Sequence, residues 1–176
     1  MGKADGVSGH PVLSRREAEK LVFREARLLD EDRFEEWLKL FTGDGIYSVP
    51  SDETADPAVE TSIIHDDARQ REKRVFQLRN RHLAQDPLSR TIHFVSNLEV
   101  EQAGAPDEVL VRCNALIAEM RPGDHQGLQR GLAKPRILPC RCVYRLRREN
   151  DEWRIASKQV LLIDRDLPLQ NITFIL

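Results

Sequence analysis

The sequence predicts an α+β fold, a curved, mixed or antiparallel sheet wrapped on N-terminal helices. Three observations carry that expectation. Apolar residues near the N-terminus recur at helical spacing, long runs from Thr91 onward alternate with a period of two, and the helical and extended patterns are largely segregated along the chain. The longest alternation runs from Arg136 to Asp164. Cys140, Cys142, Tyr144 and Leu146 take one face and Arg141, Val143, Arg145 and Arg147 the other. A polar break, Arg148-Glu149-Asn150-Asp151, then turns the chain into a second arm. There, period two groups Trp153, Ile155, Ser157, Gln159, Leu161 and Ile163 against Arg154, Ala156, Lys158, Val160 and Leu162. Alternation on both sides of a short turn means an antiparallel hairpin.

At 176 residues the chain has the length of one domain with a single core. Residues 1–13 are polar and glycine-containing and read as a flexible arm, leaving 14–176 as the domain. The 27 Lys and Arg are balanced by 29 Asp and Glu, so no net basic charge points to nucleic acid. No apolar run approaches the ~18–20 residues of a membrane span, and no signal-peptide core precedes the domain. The three cysteines, Cys113, Cys140 and Cys142, are odd in number and lack framework spacing. They read as small buried hydrophobes in a reducing compartment, which sets cytoplasmic as the expected location.

In chain order, Ser14-Arg15-Arg16-Glu17 is a capping box. It opens a helix to about Leu29 whose stripe is Ala18, Leu21, Val22, Glu25, Ala26 and Leu29. Asp30-Glu31-Asp32 introduces a second helix, with Phe34, Trp37, Leu38 and Phe41 as its apolar face and Gly43 and Gly45 as its end. Ile46–Val49 reads as a short strand stopped by Pro50, and 51–60 as a loop. Ile63 and Ile64 suggest a short extended piece. His65-Asp66-Asp67 suggests metal ligands at first sight, but adjacent residues do not converge on one ion. A carboxylate there is instead a natural N-cap for a charged helix to about Asn80. Thr91–Glu101 is a strand, with Ile92, Phe94, Leu98 and Val100 on one face and Thr91, His93, Val95 and Asn97 on the other. Glu108–Met120 is another, with Val109, Val111, Cys113, Ala115 and Ile117 on its apolar face. Residues 121–135 form a long loop. The apolar end of the chain, Ile172, Phe174 and Leu176, needs a cover, and we expect a neighbouring copy to supply it.

Chemical motifs are mostly missing. A Rieske cluster needs two Cys and two His in two short motifs, and no C-x-H occurs. The five His are scattered singly, and no phosphate loop, dinucleotide fingerprint or nucleophile elbow is present. One enzymatic reading stays open. A cone-shaped fold encloses a pocket where His93, with Tyr47, Asp67 or Asp30, would supply acid and base groups. The other reading of His93 is a hydrogen-bonded structural histidine.

Several blocks, in order, resemble the small (beta) subunits of aromatic-ring-hydroxylating dioxygenases, of the Rieske non-haem iron oxygenase family. They are Glu25-Ala26-Arg27-Leu28-Leu29-Asp30, Phe34-Glu35-Glu36-Trp37-Leu38, Tyr47-x-Val49-Pro50, Asp66-Asp67, Arg74-Val75, and Pro87-Leu88-Ser89-Arg90-Thr91-Ile92-His93-Phe94-Val95-Ser96-Asn97. Tyr144-Arg145-Leu146-Arg147, Trp153-Arg154-Ile155 and Leu162-Ile163-Asp164-Arg165-Asp166-Leu167-Pro168 continue the match. The resemblance implies a nuclear-transport-factor-2-like (NTF2-like) cone. It further implies a homotrimer beneath three alpha subunits, an alpha3beta3 assembly without nucleic-acid or membrane partners. The Rieske 2Fe-2S cluster and the mononuclear iron would lie in alpha, with no catalytic, cofactor or metal residue in this chain. Family chemistry is NADH-driven addition of both oxygen atoms to an aromatic ring, giving a cis-dihydrodiol. Arginine-rich strand faces would then be inter-subunit surface, forming forked pairs with carboxylates. A stand-alone enzyme of the same fold, of dehydratase or isomerase type, and a small-molecule-binding cone using His93 and Tyr47 are the competing readings.

Overall fold

The computed structural model describes residues 13–52, 62–80, 88–121, 135–165, 167, 172 and 174–176. The expected N-terminal arm and the loops at 51–60 and 121–135 fall almost wholly outside them. Among these residues, three helices and six strands follow in the order α1 (Arg15–Asp30), α2 (Phe34–Leu38), β1 (Phe41–Pro50), β2 (Ser62–Asp66), α3 (Ala68–Arg79), β3 (Arg90–Gln102), β4 (Glu108–Met120), β5 (Arg136–Glu149) and β6 (Glu152–Leu162). The strands form one open sheet, ordered β2-β1-β6-β5-β4-β3. All neighbours are antiparallel except β1 and β6. This is the predicted α+β architecture with a mixed sheet.

Local chemistry sets most boundaries where expected. Ser14 caps α1 reciprocally with Glu17: its hydroxyl accepts from the Glu17 N–H at 3.3 Å and its own N–H donates to Glu17 Oε2 at 2.9 Å. Asp67 caps α3, accepting from the Gln70 N–H at 2.8 Å. Between β5 and β6 only Asn150 and Asp151 intervene, with φ of 50° and 65°. Two successive positive φ values match the twist of the flanking strands, as in a type I′ hairpin turn.

Four expectations are corrected. The second helix is only five residues long, and Phe41 already belongs to β1, which continues through Gly43 and Gly45. Gly45 does not stop a helix. It allows a close backbone approach, because a Cβ there would lie 2.8 Å from the Ile155 carbonyl oxygen.

The second and third corrections are β-bulges. In β3 the register shifts between Ser96 and Glu99, and Asn97 adopts φ 53°. Thr91, His93 and Val95 therefore share the inner face with Leu98 and Val100, while Ile92 and Phe94 point outward. In β6, Arg145 pairs with Ser157 but Leu146 with Ile155, leaving Ala156 as the extra residue. Ile155 thus joins Lys158, Val160 and Leu162 on the inner face. One inserted residue reverses every later side chain, which a strict period of two misassigns.

The fourth correction concerns the tail. Phe174, Ile175 and Leu176 are buried in the core of their own chain, not at its surface. The Leu176 N–H donates to the Tyr47 hydroxyl at 3.0 Å, which fixes the segment over the inner face of the sheet.

Asn tolerates the left-handed region that the β3 bulge requires, whereas a β-branched residue does not. Asn97→Gly should leave unfolding free energy within about 0.5 kcal/mol of the parent, and Asn97→Val should lower it by about 1–2 kcal/mol. Urea unfolding followed by circular dichroism checks this; equal midpoints for parent and Asn97→Val would contradict the strained-bulge account.

Candidate functional site

The inner face of the sheet is where an enzyme of this shape would keep its substrate. Here it holds a polar cluster built from five elements and the tail. Glu25 sits in the buried stripe of α1 at 1% exposure, and Lys158 lies on the inner face of β6 at 2%. Lys158 Nζ donates to Glu25 Oε1 at 2.9 Å. The same carboxylate accepts from Trp37 Nε1 of α2 at 2.9 Å and from the Tyr144 hydroxyl of β5 at 2.8 Å. Lys158 also donates to the main-chain oxygen of Leu176 at 2.7 Å, and its ammonium lies 5.8 Å and 5.6 Å from the ring centres of Tyr47 and Tyr144. Trp37 stands edge-on to Tyr47 at 5.8 Å and to Phe41 at 5.0 Å, which closes the cluster with aromatic surface.

The electrostatics suit a structural role. Burial works against the Lys158 ammonium, but Glu25, Cys142 and Tyr47 together outweigh it and raise its pKa above the usual lysine value. Burial pushes Tyr47 up to about 12 and Tyr144 well above the usual phenol value, the latter helped by the Glu25 charge. Both phenols are therefore neutral at physiological pH. Tyr47 spends its oxygen on the Leu176 N–H.

His93 lies elsewhere, on the inner face of β3. Its Nδ1 is 2.6 Å from Asp30 Oδ1, its N–H donates to Asp30 Oδ2 at 3.0 Å, and the Thr91 hydroxyl donates to Oδ1 at 2.9 Å. These bonds pin the C-terminal turn of α1 to edge strand β3. A cavity of about 400 Å³ lies beside them, lined by Phe23, Arg27, Asp30, His93, Phe94 and Val95 among others. Among the described residues no hydrogen bond joins Tyr47 to His93, so the structure unites only Asp30 and His93 of the four residues proposed for acid–base work.

The His65-Asp66-Asp67 triplet is divided among separate tasks. His65 is exposed, and Asp66 is buried in a forked pair with Arg74 at 2.6 and 3.1 Å. Asp67 caps α3. Arg71, also buried, donates to the Gly45 carbonyl oxygen and lies over the Phe41 ring at 4.2 Å. The cysteine donors do not fit a Rieske centre. Cys140 and Cys142 are 4.0 Å apart at sulfur, but their cross-strand partners are Ala115, Cys113, Leu162 and Val160, none of them a histidine.

Sequence reading missed the Glu25–Lys158 cluster. The available signal was a carboxylate within the apolar stripe of α1 and a lysine among the apolar residues of β6, two opposite charges in buried phase.

Asp30 yields a pH dependence. Partial burial alone would raise its pKa, but the hydrogen bonds from His93 and Thr91 outweigh it and the net shift is downward. A carboxylate with a depressed folded pKa adds stability above its unfolded pKa and loses it as pH falls through the folded value. Asp30→Asn should cost about 1.5–3 kcal/mol at neutral pH, and the gap should narrow from about pH 5 downward. Thermal melts of parent and variant across that range check it; a gap that widens in acid would contradict the assigned direction.

Comparison with known proteins agrees with this architecture. The family described as "Ring hydroxylating beta subunit" matches residues 24–168. The chain is 34% identical over 154 residues to the small oxygenase component of the p-cumate 2,3-dioxygenase system of Pseudomonas putida, covering 85% of this chain and 79% of that protein. The beta subunit of benzoate 1,2-dioxygenase from Burkholderia mallei superposes with a TM-score of 0.70 at 24% identity, covering 94% of this chain and 100% of that one. An NTF2-like protein from Novosphingobium aromaticivorans shares the fold with a TM-score of 0.57 at 19% identity, over 85% of this chain and 82% of its own. With an NTF2-like fold and a family match spanning most of its length, the chain belongs to the beta subunits of ring-hydroxylating dioxygenases.

Proposed function

We propose that this chain is a non-catalytic subunit that holds dioxygenase alpha subunits in register within an alpha3beta3 hexamer, in the cytoplasm. The observation that carries the reading is the mutually satisfied polar cluster on the inner face. Glu25, Lys158, Tyr47 and Tyr144 face the space where an NTF2-like enzyme would bind substrate, and each is hydrogen-bonded to the others or to the tail. The Rieske 2Fe-2S cluster and mononuclear iron, which supply electron transfer and oxygen activation for cis-dihydroxylation, then belong to the alpha subunit. This chain contributes rigidity, and α1 and β3 are locked together through Asp30 and His93 at the sheet edge. The competing reading, a stand-alone enzyme or small-molecule cone using His93 and Tyr47, is disfavoured because each residue serves a separate structural contact.

Co-expression with an alpha subunit and native mass spectrometry test the assembly. The expected product contains three copies of each chain, with all iron retained by alpha after separation. Tyr47→Phe should lower stability by about 1 kcal/mol through the lost hydrogen bond yet keep turnover per assembled complex within about twofold. Activity can be followed as oxygen uptake with p-cumate and benzoate, the compounds for which two relatives are named. Full assembly with turnover reduced by orders of magnitude would support the enzyme reading instead.

A further inference from the structure

Three thiols meet on the inner face where β4 lies beside β5. Cys113, Cys140 and Cys142 are free and buried, as the sequence suggested. Their spacing goes beyond that of simple filling. Cys142 pairs directly across the strands with Cys113 and is hydrogen-bonded to it, and its sulfur lies 4.0 Å from that of Cys140.

The backbone allows a covalent bond to only one of these neighbours. Residues directly opposite in an antiparallel pair lie about 4.5–5.5 Å apart at Cα, inside the ~4.4–6.8 Å range of a disulfide. Cys140 and Cys142 are two residues apart on one strand, so their stems stand about 6–7 Å apart. That exceeds the ~3.5–4.5 Å a disulfide needs between Cβ atoms. Electrostatics single out Cys142 as the reactive member. Hydrogen bonds from Cys113 and Cys140 outweigh burial, the Lys158 ammonium adds to them, and the Cys142 pKa falls well below the usual thiol value. The same bonds, with burial, push Cys113 and Cys140 upward and keep them protonated. Cys113 and Cys142 also border a cavity of about 500 Å³, shared with Asn97, Arg112, Asn114 and Arg141, which has room for a molecule as small as hydrogen peroxide.

We propose that Cys142 and Cys113 form a peroxide-responsive modification site that closes into a cross-strand disulfide and leaves Cys140 as a thiol. The Cys142 thiolate attacks one peroxide oxygen and the O–O bond breaks. The departing hydroxide takes up the proton that Cys142 released, leaving a sulfenic acid and one water. The Cys113 sulfur then attacks the Cys142 sulfur. The S–O bond breaks, and the hydroxyl leaves with the Cys113 proton as a second water. The two thiols together lose two electrons, peroxide gains them, and an added dithiol reverses the bond by exchange. Tying β4 to β5 constrains the unfolded chain, so the oxidised protein should unfold at a higher urea concentration than the reduced one.

Peptide mapping by mass spectrometry tests the proposal on the full chain, treated while folded with hydrogen peroxide and then alkylated. The expected map joins Cys113 to Cys142 within one chain, shows Cys140 alkylated, and returns all thiols after dithiothreitol. Cys113→Ala should leave a Cys142 sulfenic acid that dimedone traps, and Cys140→Ala should still form the bond. Cys142→Ala should slow peroxide consumption at least about tenfold. The map of the parent decides the question even where a variant does not fold. A bond that forms only in urea, a bond to Cys140 or between chains, or thiols left untouched by peroxide overturns the proposal.

Discussion

A carboxylate and an ammonium, buried against each other, organise this molecule. Taking either charge out of water costs several kcal/mol, and only close pairing with further hydrogen bonds offsets that. Glu25 meets the condition with donors from α2, β5 and β6, and Lys158 meets it with Glu25 and the tail. The pair therefore requires that all these elements arrive together. The β6 bulge belongs to the same constraint. Without Ala156 as an extra residue, Ile155 and Lys158 would face opposite ways, and either the core or the ion pair would be lost.

From that pair follows a division between interior and exterior. Inside, Glu25, Lys158, Tyr47 and Tyr144 spend their hydrogen bonds on one another, on Trp37 and on the tail, and burial holds both phenols neutral. Outside, half of the sheet neutralises its charges locally and the other half leaves large apolar side chains in water. This agrees with membership in a family of small dioxygenase subunits.

Much of the fold was legible because its signals are local. The Ser14–Glu17 box and the Asp67 cap depend on residues three apart, and the faces of β4 and β5 on unbroken alternation. What escaped depends on distant partners. Gly43 and Gly45 read as a stop, although Gly45 is there because Ile155, more than a hundred residues away, approaches its α-carbon. Ala156 carries no sign that it is an insertion. Asn97 carries only a weak one, the tolerance of asparagine for positive φ. The apolar tail correctly signalled a need for cover, but the cover is Tyr47 and Lys158 of its own chain rather than another copy. His93 was legible as a hydrogen-bonded residue, while its partner Asp30 depended on how α1 lies against β3.

The most direct test of the organising pair is a double-mutant cycle on unfolding free energy, with Glu25→Gln, Lys158→Met and both together. Each single change strands a buried charge or its partner and should cost about 3–5 kcal/mol. The double variant should lose less than the sum of the singles by at least about 1.5 kcal/mol, because the two sites share one interaction. Strictly additive losses, or single variants as stable as the parent, would contradict the claim that this pair organises the interior.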